Sequence, residues 1–119
     1  MGDTRSITIT IVNSTELTLT LSQDKLNDGN WVHSPPSVIN PGETTRPFEA
    51  TAGFQENGVD GSVVYAGQIG LITFTFNDPN SGPNTFSGTT ENPNYKISHS
   101  TGAGEVATVT YILESDPTS

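Results

Sequence analysis

The residues with the most chemistry to offer in this 119-residue chain are two histidines, thirteen carboxylates and one tryptophan. A Ser–His–Asp hydrolase would need His33 or His99 as its base. Neither is accompanied by the G-x-S-x-G turn that presents a nucleophilic serine. His99 instead falls in phase with Tyr95 and Ile97, the position of a strand residue at the edge of a core. The carboxylates are spread singly through loops, without the close pairing that tunes one acid against another. The absence of cysteine removes thiolate ligands, thiol nucleophiles and disulfides, and the two histidines are too far apart for a zinc spacing. The expectation is a protein with no enzymatic activity, no catalytic residues, no metal and no cofactor.

Calcium is the best-supported metal, since Asp24, Asp28 and Asn30 surround Gly29. The EF-hand register fails, because Leu26 occupies a position that needs oxygen and Pro35 stands where the bidentate glutamate belongs. An ordinary acidic loop is the plainer reading. Trp31, the only tryptophan, lies in Gly29-Asn30-Trp31-Val32-His33 beside those aspartates. It reads either as a core residue on a short strand or as an aromatic platform at a loop mouth. In the second case the indole face and nearby carboxylates would hold a cationic head group such as choline or ethanolamine. The net charge of −9 would favour that encounter. Two short patterns carry less. Met1-Gly2-Asp3-Thr4-Arg5-Ser6 fits the myristoylation signal but runs at once into a strand, and Asn13-Ser14-Thr15 is a glycosylation sequon with no secretory signal before it.

The elements that must position these residues are strands. Ile7, Ile9 and Ile11 alternate with Thr8 and Thr10, and Leu17, Leu19 and Leu21 alternate with Thr18 and Thr20. A strand sends successive side chains to opposite faces, so each segment has one apolar and one threonine face. Asn13-Ser14-Thr15 between them reads as the turn of a hairpin. The same rhythm recurs at 72–76 and 109–113, with shorter candidates at 47–51, 62–66, 84–87 and 95–99. Turn signals punctuate them: Asn27-Asp28-Gly29, Asn40-Pro41-Gly42, Asn57-Gly58, Asp60-Gly61, Asn77-Asp78-Pro79 and Asn92-Pro93. No window of helical length keeps a 3.6-residue period, and only 31% of residues are hydrophobic. The expected fold is an all-β, antiparallel two-sheet β-sandwich forming a single domain over 1–119. Its predicted core is Ile7, Ile9, Ile11, Leu17, Leu19, Leu21, Phe74, Phe76, Val109, Tyr111 and Leu113. Four basic residues cannot make the cationic stripe that nucleic acid requires, so that partner is excluded.

With these elements in order, the chain resembles the aegerolysins, and most closely the small aegerolysin-like component of bacterial two-component insecticidal crystal toxins. The likeness runs from Ile7-Thr8-Ile9 and Asn13-Ser14-Thr15 through Leu17-Thr18-Leu19, Gly29-Asn30-Trp31, Ser34-Pro35, Phe48-Glu49-Ala50 and Gly53-Phe54. It continues in Gly61-Ser62-Val63-Val64-Tyr65 and in the most specific stretch, Phe76-Asn77-Asp78-Pro79-Asn80-Ser81-Gly82-Pro83-Asn84, and closes with Val109-Thr110-Tyr111. Two departures stand out. The loop after Phe76 usually carries an aromatic just after its proline, where this chain has Asn80, and the cysteines of many fungal members are missing. An aromatic there would anchor in the lipid interface, so its replacement argues against deep insertion by this loop.

The resemblance implies a non-enzymatic β-sandwich that recognises a membrane or receptor and acts with a larger, pore-forming partner protein. The ligand it implies is a membrane lipid head group, sphingolipid among them, or a gut-cell receptor; self-association into a homo-oligomer stays open. The residues expected to bind are Trp31 and His33 in one segment and Asn77, Asp78, Pro79, Asn80, Ser81 and Gly82 in another. The expected location is the cytoplasm of the producing cell, as a crystalline inclusion or otherwise, followed by release to target membranes. Two other classes remain open. One is a carbohydrate-binding or adhesive module in which Trp31 stacks on a sugar, and the other is a crystal-forming protein whose threonine faces pair with neighbours.

Overall fold

The structure, a computed structural model, describes residues 5–52, 58–79, 83–102, 104 and 106–116. Among the described residues there are ten strands and no helix: β1 (Arg5–Ser14), β2 (Leu19–Asp28), β3 (Asn30–His33), β4 (Val38–Ile39), β5 (Phe48–Ala52), β6 (Gly58–Gly67), β7 (Gly70–Pro79), β8 (Thr85–Thr90), β9 (Tyr95–His99) and β10 (Val106–Ser115). They form two five-stranded sheets, ordered β3-β5-β1-β10-β9 and β4-β2-β6-β7-β8. The expected sandwich is present, with one pairing that alternation alone does not reveal. β1 and β10, the first and last strands, run parallel in the middle of the first sheet, with Ile7 beside Ala107 and Ile11 beside Tyr111. Every other pairing between strands is antiparallel.

The expected β1–β2 hairpin does not form. Asn13-Ser14-Thr15 carries the chain from one sheet to the other, so β1 and β2 lie in opposite sheets instead of pairing, and β1 faces β6 and β7 across the core. The cause is the Asn13 side chain, which is fully buried. Its Nδ2 donates to the carbonyls of Leu17 (2.8 Å) and Asn40 (3.1 Å). Its Oδ1 accepts from the Thr15 amide (3.2 Å) and the Thr15 hydroxyl (2.6 Å). An amide is one of the few side chains that can both donate and accept in this way. With its side-chain nitrogen committed and buried, the sequon is not an available glycosylation acceptor.

Two other turn signals also fall inside strands. Asp60-Gly61 lies in β6 and Asn77-Asp78-Pro79 closes β7, where Asp78 pairs with Val59 and Pro79 with Gly58. Gly61 is there for close approach: a Cβ on it would overlap the Lys25 carbonyl at a bulge of β2. Gly29, between β2 and β3, and Gly42, after Asn40-Pro41, do turn the chain, with φ of 99° and 74°.

The core holds nine of the eleven predicted residues. Leu17 and Leu21 are only half-buried, Leu17 because it sits in the sheet crossing and Leu21 because it borders a bulge. Ile39, Phe48, Ala50, Ala52, Val59, Val63, Tyr65, Ile69, Ile72, Phe86 and Ala107 complete it. Two tyrosine hydroxyls donate at 2.6 Å: Tyr111 Oη across the layers to the Thr75 carbonyl, and Tyr65 Oη to the Pro36 carbonyl in the β3–β4 connection. Burial pushes both phenols well above their ordinary pKa. For Tyr65 the charge of Asp24 adds to this and that of Arg46 opposes it. On one flank the outermost strands β8 and β9 close the sandwich, with Gly88 directly beneath Ile97.

Candidate functional site

The topology brings the two segments singled out from the sequence to one end of the sandwich. There β2 passes into β3, β7 ends at Pro79, β6 begins, and β10 begins at Val106. Trp31 does not sit in a loop. It lies on the edge strand β3, opposite Ala50 of β5, and its ring is half-buried. Its ring centroid is 6.0 Å from those of both Phe48 and Phe76, tilted against the first and edge-on to the second. Phe76 belongs to β7 in the opposite sheet, immediately before Asn77, so the tryptophan physically joins the two predicted segments. Its Nε1 is buried and makes no hydrogen bond to a described residue. An indole N–H in that state is a strong donor held in reserve, since burying it unpaired is costly.

His33 ends β3 and is exposed. Asn77 faces outward, whereas Asp78 faces inward and is 1% exposed. The expected polar rim is therefore split between the two faces of a strand. Pro79 is held from the opposite sheet, its carbonyl accepting from Arg5 Nε at 3.1 Å. Asn80, Ser81 and Gly82 lie outside the described residues. Further along the chain, Asn84 Nδ2 donates to the Gly104 carbonyl (3.0 Å).

Asp24 and Asp28 stand along strand β2, not in an acidic loop. Asp28 is the register partner of Asp60, whose Oδ2 accepts from Asn27 Nδ2 at 3.5 Å. Among the described residues no three His, Asp or Glu side chains converge as metal ligands. The two histidines occupy β3 and β9, opposite edges of the first sheet. Phe48, Arg5 and Asp60 were not among the expected site residues. Phe48 was legible only as one apolar residue of a short strand, and Asp60 was hidden by a dipeptide that reads as a turn.

With this geometry in hand the chain can be set against known structures. The chain has the aegerolysin-like fold. The lipid binding protein Nakanori superposes with a TM-score of 0.82 at 17% identity, over 92% of this chain and 71% of that one. IP-1A from Alcaligenes faecalis gives a TM-score of 0.72 at 15% identity, covering 97% and 94% of the two chains. RahU, solved in complex with a Tris molecule, gives 0.68 at 22% identity, covering 94% and 96%. No protein-family model and no curated sequence matches the chain. The likeness is one of fold, carried by the two sheets and their connections.

Proposed function

We propose that the protein recognises a membrane lipid head group through the end of the sandwich that holds Trp31, and that it does so without catalysis. The observation that carries this is the Trp31–Phe48–Phe76 cluster, whose buried indole N–H makes no hydrogen bond to a described residue. It places a rigid aromatic body and a latent donor at the end where the strand connections gather. Aromatic rings of this kind are suited to the boundary between an apolar interior and a wet surface. The likeness to a lipid-binding structure over 92% of the chain supports the same reading. In its finer form the proposal is a recognition subunit of a two-component, pore-forming, insecticidal toxin, working with a larger partner protein.

Co-sedimentation with vesicles of differing head groups, with and without sphingolipid and sterol, tests it. Binding is expected to at least one composition and to weaken in Trp31→Phe at unchanged melting temperature. No binding to any composition, or hydrolysis of lipid that disappears with His33→Gln or His99→Gln, would overturn it.

A further inference from the structure

The two flanks of the sandwich are unlike. On one, β8 and β9 meet and close it. On the other, β4 pairs with β2 only at Leu19 and Thr20, followed by one hydrogen bond from the Leu21 amide to the Ser37 carbonyl (2.8 Å). Among the described residues nothing pairs with the outer edge of β2 from 22 to 28, and Ser22, Gln23, Asp24 and Lys25 are exposed. A strand edge of that length presents backbone donors and acceptors ready to take another strand.

The side chains along the edge say what kind of strand fits. Asp24 pairs with the fully buried Val63 and Leu26 with the buried Gly61, so both point to the inner face of the sheet. Leu26 packs on the core while remaining half-exposed, and Asp24 is exposed outright. Its charge bears on the Tyr65 hydroxyl, which places a carboxylate on the core side of an uncovered edge. Exposed Val32 and Val38, on the outermost strands of the two sheets, border the same flank. Asp28 and its partner Asp60 add negative charge at the lower end, against Lys25 on the strand itself and Arg46, whose charge also reaches Tyr65.

A second copy of the chain fits poorly. Two-fold antiparallel pairing sets residues of equal parity against each other, which centres the regular stretch on Asp24 against Asp24 or on Lys25 against Lys25. Like charges directly opposite are unfavourable, and each copy carries −9.

We propose that residues 22–28 of β2 are a docking edge for an extended, basic segment of a different protein, which joins the second sheet as an added strand. A lysine or arginine of that segment lies opposite Asp24 and an apolar residue two positions away covers Leu26, giving a basic–x–apolar pattern. This rests on the reading that the protein works with a partner, and not on lipid recognition.

The test is selection from a phage-displayed random peptide library on the folded protein, followed by hydrogen exchange of the peptide complex. Selected peptides are expected to carry Lys or Arg two positions from an apolar residue and to protect the amides of 22–28. Asp24→Lys should weaken them about tenfold or more, because it sets like charges face to face. Lys25→Glu, on the other face, should leave binding equal or tighter. Melting temperatures of both variants confirm folding, and peptide binding by Trp31→Phe should match the parent, which separates this proposal from the lipid reading. Selection of acidic peptides, protection elsewhere, no selected peptide, or indifference to Asp24→Lys would each overturn it. So would protection of 22–28 that rises with protein concentration alone alongside a dimer mass.

Discussion

Replacing Asn13 tests how the chain crosses between sheets. Its buried side chain makes four hydrogen bonds, two donated to the Leu17 and Asn40 carbonyls and two accepted from Thr15. A net contribution of about 1 kcal/mol per bond, discounted where water can reach the Thr15 side, sets the cost of Asn13→Ala at about 3 kcal/mol. For 119 residues the unfolding entropy makes each kcal/mol worth about 4 °C, so the melting temperature should fall by about 12 °C. Asn13→Asp is the sharper probe. It keeps the shape and the oxygen that faces Thr15, but turns an acceptor toward two carbonyls where the amide donated. At neutral pH it should cost at least as much as the alanine change. Burial and the two carbonyl dipoles raise the folded carboxyl's pKa above its unfolded value. The native state therefore holds the proton more tightly. The variant is relieved at pH values below the unfolded pKa of about 4, and its penalty grows as pH rises through the folded pKa. Urea unfolding of parent and both variants at pH 4 and pH 7.5 reads this directly, as the change in each variant's deficit relative to the parent. A loss under about 1 kcal/mol for Asn13→Ala, or an Asn13→Asp deficit that does not shrink in acid, would refute the reasoning.

Other outcomes follow from the same geometry. A methyl on Gly88 would overlap Ile97 Cγ2, so Gly88→Ala should cost about 1–3 kcal/mol in urea unfolding, and in an Ile97→Ala background, which lacks that Cγ2, the added cost of Gly88→Ala should shrink. Leu19→Ala, at a fully buried position, should cost about 2–5 kcal/mol, and Leu17→Ala, half-buried in the crossing, distinctly less in the same assay. Tyr65 and Tyr111 have folded pKa values raised by burial, so their stability contribution is complete below pH 10 and is lost as pH climbs above it. Absorbance titration should show these two phenols ionising only as the far-ultraviolet circular dichroism collapses.

Period-two alternation was enough to reveal β1, β7 and β10, their inward faces and most of the core, because a strand buries every second residue whatever its partner. It also made the sandwich class legible, and the short turn at Asn40-Pro41-Gly42 was readable from local chemistry. What alternation does not encode is the partner. Nothing local distinguishes a hairpin from a sheet crossing at Asn13, since the difference lies in carbonyls at Leu17 and Asn40 that only the folded chain brings near. The parallel β1–β10 pair joins segments about a hundred residues apart and leaves no mark on either. Asp60-Gly61 and Asn77-Asp78-Pro79 carry turn-forming residues, yet pairing along β6 and β7 outweighs their local preference. For the candidate site, residue type identified Trp31. Only tertiary packing decided that its ring rests on Phe48 and Phe76, that Asp78 turns inward, and that the edge of β2 stays open. Each of those depends on which surfaces two sheets cover when they stack, and a strand's own sequence does not say how far its neighbour extends.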